Sequence, residues 1–139
     1  YQFVSLLPEE EGNLVINWFS RNKITPIATI NQNGIVINKP GRDLLEKAYA
    51  VKLGIDTEKK EIVIRPLSVD EAESPAIDPD DVFPLTGGKS YTRISSRAFI
   101  SYLSILTKKD YSEPKKYLCS YEEKENYFYV ELDKEVEGL

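Results

Sequence analysis

Ile27-Ala-Thr-Ile30 and Ile35-Val-Ile37 are two β-branched runs on either side of Asn31-Gln-Asn-Gly34. Asn-Gly favours the positive φ of a tight turn, so this stretch predicts a β-hairpin. What constrains the chain most is that the arrangement returns. Val82-Phe-Pro-Leu-Thr86 and Lys89-Ser-Tyr-Thr-Arg-Ile94 flank Gly87-Gly88, a second pair of strand-sized runs around a turn dipeptide. A helix start follows each hairpin. Asn38 with Pro40 suits an N-cap followed by proline in the first turn, and Leu44, Leu45 and Ala48 give about two to three turns an apolar face. Ser95-Ser96 can cap a helix in which Phe99, Ile100, Leu103 and Leu106 recur at helical spacing.

A second hairpin follows each helix. Val51, Leu53 and Ile55 alternate with Lys52 and Gly54, the period of a half-buried strand. Asp56–Lys60 is a polar turn, and Glu61-Ile-Val-Ile-Arg65 returns as a strand that Pro66 is expected to stop. In the other half, Tyr117-Leu-Cys-Ser-Tyr121 and Tyr127-Phe-Tyr-Val-Glu-Leu132 flank the turn Glu122–Asn126. The order hairpin–helix–hairpin therefore occurs twice, over 27–67 and 82–133. Ile37 corresponds to Ile94 at an offset of 57, and Ile62 to Phe128 at an offset of 66. Around these units, 1–26 reads as an N-terminal hairpin extension with strands at 2–7 and 14–19. Residues 68–81 read as an acidic linker and 134–139 as a polar tail. The expected class is α+β and β-rich, with about eight to ten strands and two short helices.

The chain contains no histidine and one cysteine, Cys119. That removes imidazole-assisted Ser or Cys hydrolysis, zinc sites and thiol redox pairs. No apolar run approaches the ~18 residues that span a bilayer, and no signal-peptide pattern opens the chain, so a cytoplasmic location without membrane partners is expected. The net charge is −5, unevenly spread. Residues 21–67 carry nine bases and five acids, whereas 68–86 carry six acids (Asp70, Glu71, Glu73, Asp78, Asp80 and Asp81) and no base. An acidic whole argues against indiscriminate polyanion binding, while the basic module leaves room for local nucleic-acid contact.

With that order of elements in view, residues 27–67 resemble the AbrB-like swapped-hairpin family of bacterial transcription regulators and antitoxins. The likeness is carried by Gly34-Ile-Val-Ile37, Asn38-Lys-Pro40, Arg42, Leu44-Leu45, Val51-Lys-Leu-Gly-Ile-Asp56 and Ile62-Val-Ile64. The resemblance implies two units that interleave their hairpins into a swapped-hairpin-like β core, here supplied by one polypeptide. It also implies basic residues on a shared surface that contact double-stranded DNA. Ile35 stands where the family has an Arg, Lys39-Pro40 reverses its Pro-Lys, and Ser95-Ser96-Arg97 replaces Asn38-Lys39-Pro40 in the second unit.

The candidate phosphate-contacting residues are Lys39, Arg42, Lys52, Arg65, Arg93 and Arg97; the competing reading is a solvated surface of helix and strand ends. Asp70 to Asp81 lacks the carboxylate spacing that wraps a Ca²⁺ ion and reads as a solvated linker. Tyr111, Tyr117, Tyr121, Tyr127, Phe128 and Tyr129 could stack bases, but cross-strand packing accounts for them more simply. Cys119 reads as a buried small hydrophobe and Trp18 as a core or interface anchor. No carboxylate pair is set to act as acid and base, so no catalytic residue and no cofactor are expected. Two functions remain: a non-enzymatic regulator-type DNA-binding module working as a homo-oligomer, or a protein-interaction or structural module of the same fold that has lost DNA binding.

Overall fold

The computed structural model describes residues 25–136. The strands expected at 2–7 and 14–19 lie outside the described residues. Among the described residues nine strands form one sheet: β1 Ile27–Asn31, β2 Gly34–Asn38, β3 Ala50–Asp56, β4 Glu61–Leu67, β5 Phe83–Pro84, β6 Thr86–Gly87, β7 Tyr91–Ser95, β8 Lys115–Glu122 and β9 Tyr127–Val136. In the same described stretch three α-helices accompany them: α1 Lys39–Leu44, α2 Val69–Ala72 and α3 Arg97–Thr107. The chain is thus β-rich α+β, as expected. The sheet order is β5-β3-β4-β9-β8-β1-β2-β7-β6, with every pairing antiparallel. Its two edge strands, β5 and β6, are separated in the chain only by Leu85, so the sheet curls round and nearly closes.

Alternation sends one side of each strand inward. Ile30, Ile35, Ile37, Ile62, Ile64, Ile94, Phe128 and Val130 are buried together with Ile100 and Leu103 of α3. Burying side chains of this size stabilises by roughly 1.5–3 kcal/mol each before entropy is counted. Gly41 in α1 is also buried, close against Ile37 and the Phe128 ring, which brings the helix backbone down onto the core.

The two halves fold alike, and the registers show it. Thr29 pairs with Val36 and Thr86 with Arg93, each residue 57 positions on from its counterpart. Ile55 pairs with Ile62 and Tyr121 with Phe128, 66 positions on. The last residue of each second-hairpin turn, Lys60 and Asn126, takes the left-handed conformation at φ 57°. Corresponding strands also pair with each other: Val36 faces Arg93 across β2 and β7, and Val63 faces Tyr129 across β4 and β9. In the sheet order, hairpin β8–β9 lies between hairpins β1–β2 and β3–β4.

Several local expectations change. The β1–β2 turn is made by Gln32 and Asn33, neither at positive φ, with the Asn31 side chain accepting from the N–H groups of Asn33 and Gly34. Gly34 is needed for another reason. At φ +156° it packs its backbone on the Ile94 carbonyl, where any Cβ would collide. Helix α1 has six residues rather than two to three turns, because glycine in its middle weakens it and the chain turns at Leu45. Strand β4 passes through Pro66 to Leu67, since β9 pairs with it only as far as Ile64 and leaves that edge open to a residue without an N–H. The acidic segment holds α2, closed by a capping box between Ser68 and Glu71. Strand β9 continues past 133 because Leu132 and Val136 are buried and Lys116 pairs with Val136.

Candidate nucleic-acid interface

The six bases named from the sequence fall into three places. Lys39 and Arg42 project from α1, where both meet Asp43: Lys39 Nζ lies 2.9 Å and Arg42 3.4 Å from its carboxylate. The hydrogen bond from Lys39, chiefly, holds the Asp43 carboxyl below its ordinary range. Arg42 also donates to the Gly88 carbonyl at 2.8 Å, tying α1 to the β6–β7 turn. Lys52 and Arg65 face each other directly across β3 and β4, and Arg65 lies 3.5 Å from Glu71. Arg93 stands on the outer face of β7, its guanidinium 5.5 Å from the Tyr91 ring centroid. Arg97 opens α3, and no described residue forms an ion pair with it.

Register assembles something that linear order conceals. Lys116 of β8, Thr29 of β1, Val36 of β2, Arg93 of β7 and Thr86 of β6 form one cross-strand row, each directly opposite the next. Their neighbours along the strands (Ala28, Ile30, Ile35, Ile37, Thr92 and Ile94) point inward and are buried, so the row faces outward. Lys116 Nζ reaches Thr29 Oγ1 at 3.5 Å. A shallow cleft of about 280 Å³ bordered by Asn31, Asn33, Gly34, Val36, Arg93 and Ser95 adjoins the row. Strands β1, β2, β6 and β7 contain no acidic residue, nor does any position from 82 to 109, where Lys89, Arg93, Arg97, Lys108 and Lys109 are the charges. The outer side of β1–β2–β7–β6 is therefore a surface of hydroxyl, amide and cationic donors.

The wall of β3, β4 and β9 is mixed in charge, with the Lys52–Arg65 pair toward one end and a carboxylate row toward the other. Asp56, Glu61 and Glu131 lie directly opposite one another across β3, β4 and β9. Partial burial, and then the charges of Glu131, Asp56 and Asp133, push the Glu61 carboxyl above its usual range against the pull of Lys59. Tyr127 and Tyr129 share this outer face as i,i+2 neighbours along β9, with their rings edge-to-face at 6.1 Å. Cys119 is buried mid-strand in β8. Lys116 escaped the sequence reading because its place depends on β8 pairing with β1, some 87 residues away, and no local pattern reports such a pairing.

Comparison with protein-family models, with curated protein sequences and with solved structures finds no significant match to this chain. No helix among the described residues is long and apolar enough to cross a membrane.

Proposed function

We propose that this chain is a non-enzymatic DNA-binding module of regulator type, built as an AbrB-like swapped-hairpin barrel in which one polypeptide supplies both halves. Two features support the architecture: hairpin β8–β9 lies between β1–β2 and β3–β4, and equivalent strands pair about an approximate two-fold relation. The observation that carries the function is the acid-free outer face of β1–β2–β7–β6, with Arg93 on β7, Lys116 on the adjoining β8 and Arg97 at the start of α3. Phosphates are held by such convergent Lys, Arg and hydroxyl donors, and a nearby carboxylate would oppose them. In this reading Lys39, Arg42 and Arg65 serve chiefly to hold carboxylates in place, and Arg93 and Arg97 are the sequence-named residues that meet phosphate.

The test is duplex-DNA binding by fluorescence anisotropy over a series of salt concentrations. Binding at low salt should weaken steeply as salt rises, and Arg93→Ala or Lys116→Ala should each lower the slope of log K against log[salt] by about one. Absence of binding at low salt would remove the proposal. It would leave the second reading, a protein-interaction module, which the exposed apolar face of α3 favours.

A further inference from the structure

The described residues leave six large apolar side chains exposed, and they divide evenly between two places. Leu44 of α1 lines one cleft, of about 430 Å³, together with Leu45, Ala48, Pro66, Ser68 and Glu71, and the exposed Tyr49 and Val69 directly follow the lining residues Ala48 and Ser68 in the chain. Tyr102, Ile105 and Leu106 lie on α3, whose C-terminal end borders a second cleft, of about 280 Å³, formed with Ile55, Asp56, Lys60, Leu132 and Asp133. The first cleft touches β4 near Pro66 and Leu67, and the second touches the β3–β4 turn from which β4 starts. The two apolar patches thus sit at opposite ends of a seven-residue strand, ~20 Å apart at about 3.3 Å per residue.

Their rims differ in charge. Beside Val69 stand Asp70, Glu71 and Glu73, with no base anywhere from 66 to 88. Of the bases at that end, Lys39 and Arg42 are engaged by Asp43 and Arg65 by Glu71, while Lys47 stands near Leu44. Helix α3 carries Arg97, is followed by Lys108 and Lys109, contains no acid, and faces Lys60 across its cleft; Asp56, Asp133 and Asp110 are the nearby acids. Among the described residues, none of Asp70, Glu73, Arg97, Lys108 and Lys109 is in an ion pair. Ile105 is 74% and Tyr102 57% exposed, one helical turn apart, and contiguous apolar exposure of this kind marks an interaction surface.

We infer that the occupant of the α3 face is the α1–α2 end of a second copy of this chain, so that molecules associate head to tail. One copy carries both patches: Arg97, Lys108 and Lys109 on and directly after α3, above a cleft whose own lining balances Lys60 and Lys109 against Asp56 and Asp133, and the acids Asp70 and Glu73 beside Val69. It cannot bring them together itself because they lie at opposite ends of the sheet. A contact between unlike patches is heterologous and propagates unless the rotation closes a ring.

Sedimentation equilibrium of the full chain tests this. At low salt the weight-average mass should climb with concentration past twice the 15.9 kDa of one chain, and raising salt about tenfold should weaken association roughly tenfold. Ile105→Glu blocks one end and Val69→Lys the other; each variant alone should stay monomeric, with an unchanged far-ultraviolet spectrum. Mixed in equal amounts, the two should form a species of two chains and none larger. Tyr102→Glu and Leu44→Lys serve the same roles should either first variant fold poorly. Three results overturn the inference: a wild type that stays monomeric, as occupation of a patch by the chain's own residues 1–24 would give; Val69→Lys that self-associates, as α3-to-α3 contact would give; or a mixture that stays monomeric.

Discussion

Val36 and Arg93 face each other across β2 and β7 and occupy the same position in the two halves of the chain, 57 residues apart. The approximate two-fold relation passes between them, yet one is apolar and the other cationic. A surface that is symmetric in backbone is therefore one-sided in charge, with Arg93 and Lys89 in the second half where Val36 and Gln32 stand in the first.

Val36→Arg would restore the symmetry and set two guanidinium groups directly opposite. Like charges in that position cost about 0.2–1 kcal/mol, so a small drop in melting temperature is expected. Under the DNA-binding reading the same substitution strengthens duplex binding at low salt and steepens the salt slope by about one. Loss of stability with no gain in affinity would show that this face does not meet phosphate.

Gly41 is a steric requirement rather than a conformational one. Its φ is ordinary for a helix, but a Cβ there would overlap the Ile37 side chain and come within 3.2 Å of the Phe128 ring. Both neighbours are fully buried and cannot swing away. Gly41→Ala should destabilise by about 1–3 kcal/mol, the usual cost of overpacking, against the gain alanine normally brings to a helix. Denaturant unfolding with an unchanged m-value checks it.

How much of this was legible beforehand follows the range of the interactions. Hairpins and caps are local, so Asn38, Ser96 and the turns at 56–60 and 122–126 announced themselves. The matching of Ile37 with Ile94 and of Ile62 with Phe128 gave the two offsets that the registers follow. The outward row from Lys116 to Thr86 was not readable, because it joins strands from both halves and exists only once β8 lies beside β1. The pairing of Arg65 with Glu71 was hidden for a similar reason, since α2 forms from a stretch whose composition reads as a loop.

Glu61 should make the protein more stable when it is removed. Its carboxyl titrates above its ordinary value of 4.5 because it is partly buried and flanked by Glu131, Asp56 and Asp133. The folded state consequently holds its proton more tightly than the unfolded chain does. The resulting penalty is absent below the ordinary value and grows as pH rises through the folded value. Glu61→Gln is expected to gain about 0.2–1 kcal/mol near neutral pH, with the difference from wild type vanishing in mildly acid solution. Thermal melts of both proteins across that range measure it; a gain independent of pH would assign the effect to packing.

Cys119 offers a direct report on opening of the sheet. It is buried in β8, between β1 and β9, and its Sγ lies 3.8 Å from the Tyr117 carbonyl. Burial, and then the charge of Glu131, push the thiol well above its ordinary range, so almost no thiolate exists in the folded state. A thiol reagent attacks the thiolate, and it must also reach the sulfur. Native protein should therefore be labelled only through opening of the central strands, at a rate that rises with denaturant along the global unfolding curve. Gly41→Ala, which loosens α1 from Phe128 of the adjacent β9, should accelerate that labelling by the factor that its loss of stability predicts. Rapid labelling under native conditions, unaffected by Gly41→Ala, would mean that β8 opens on its own, and with it the edge that carries Lys116.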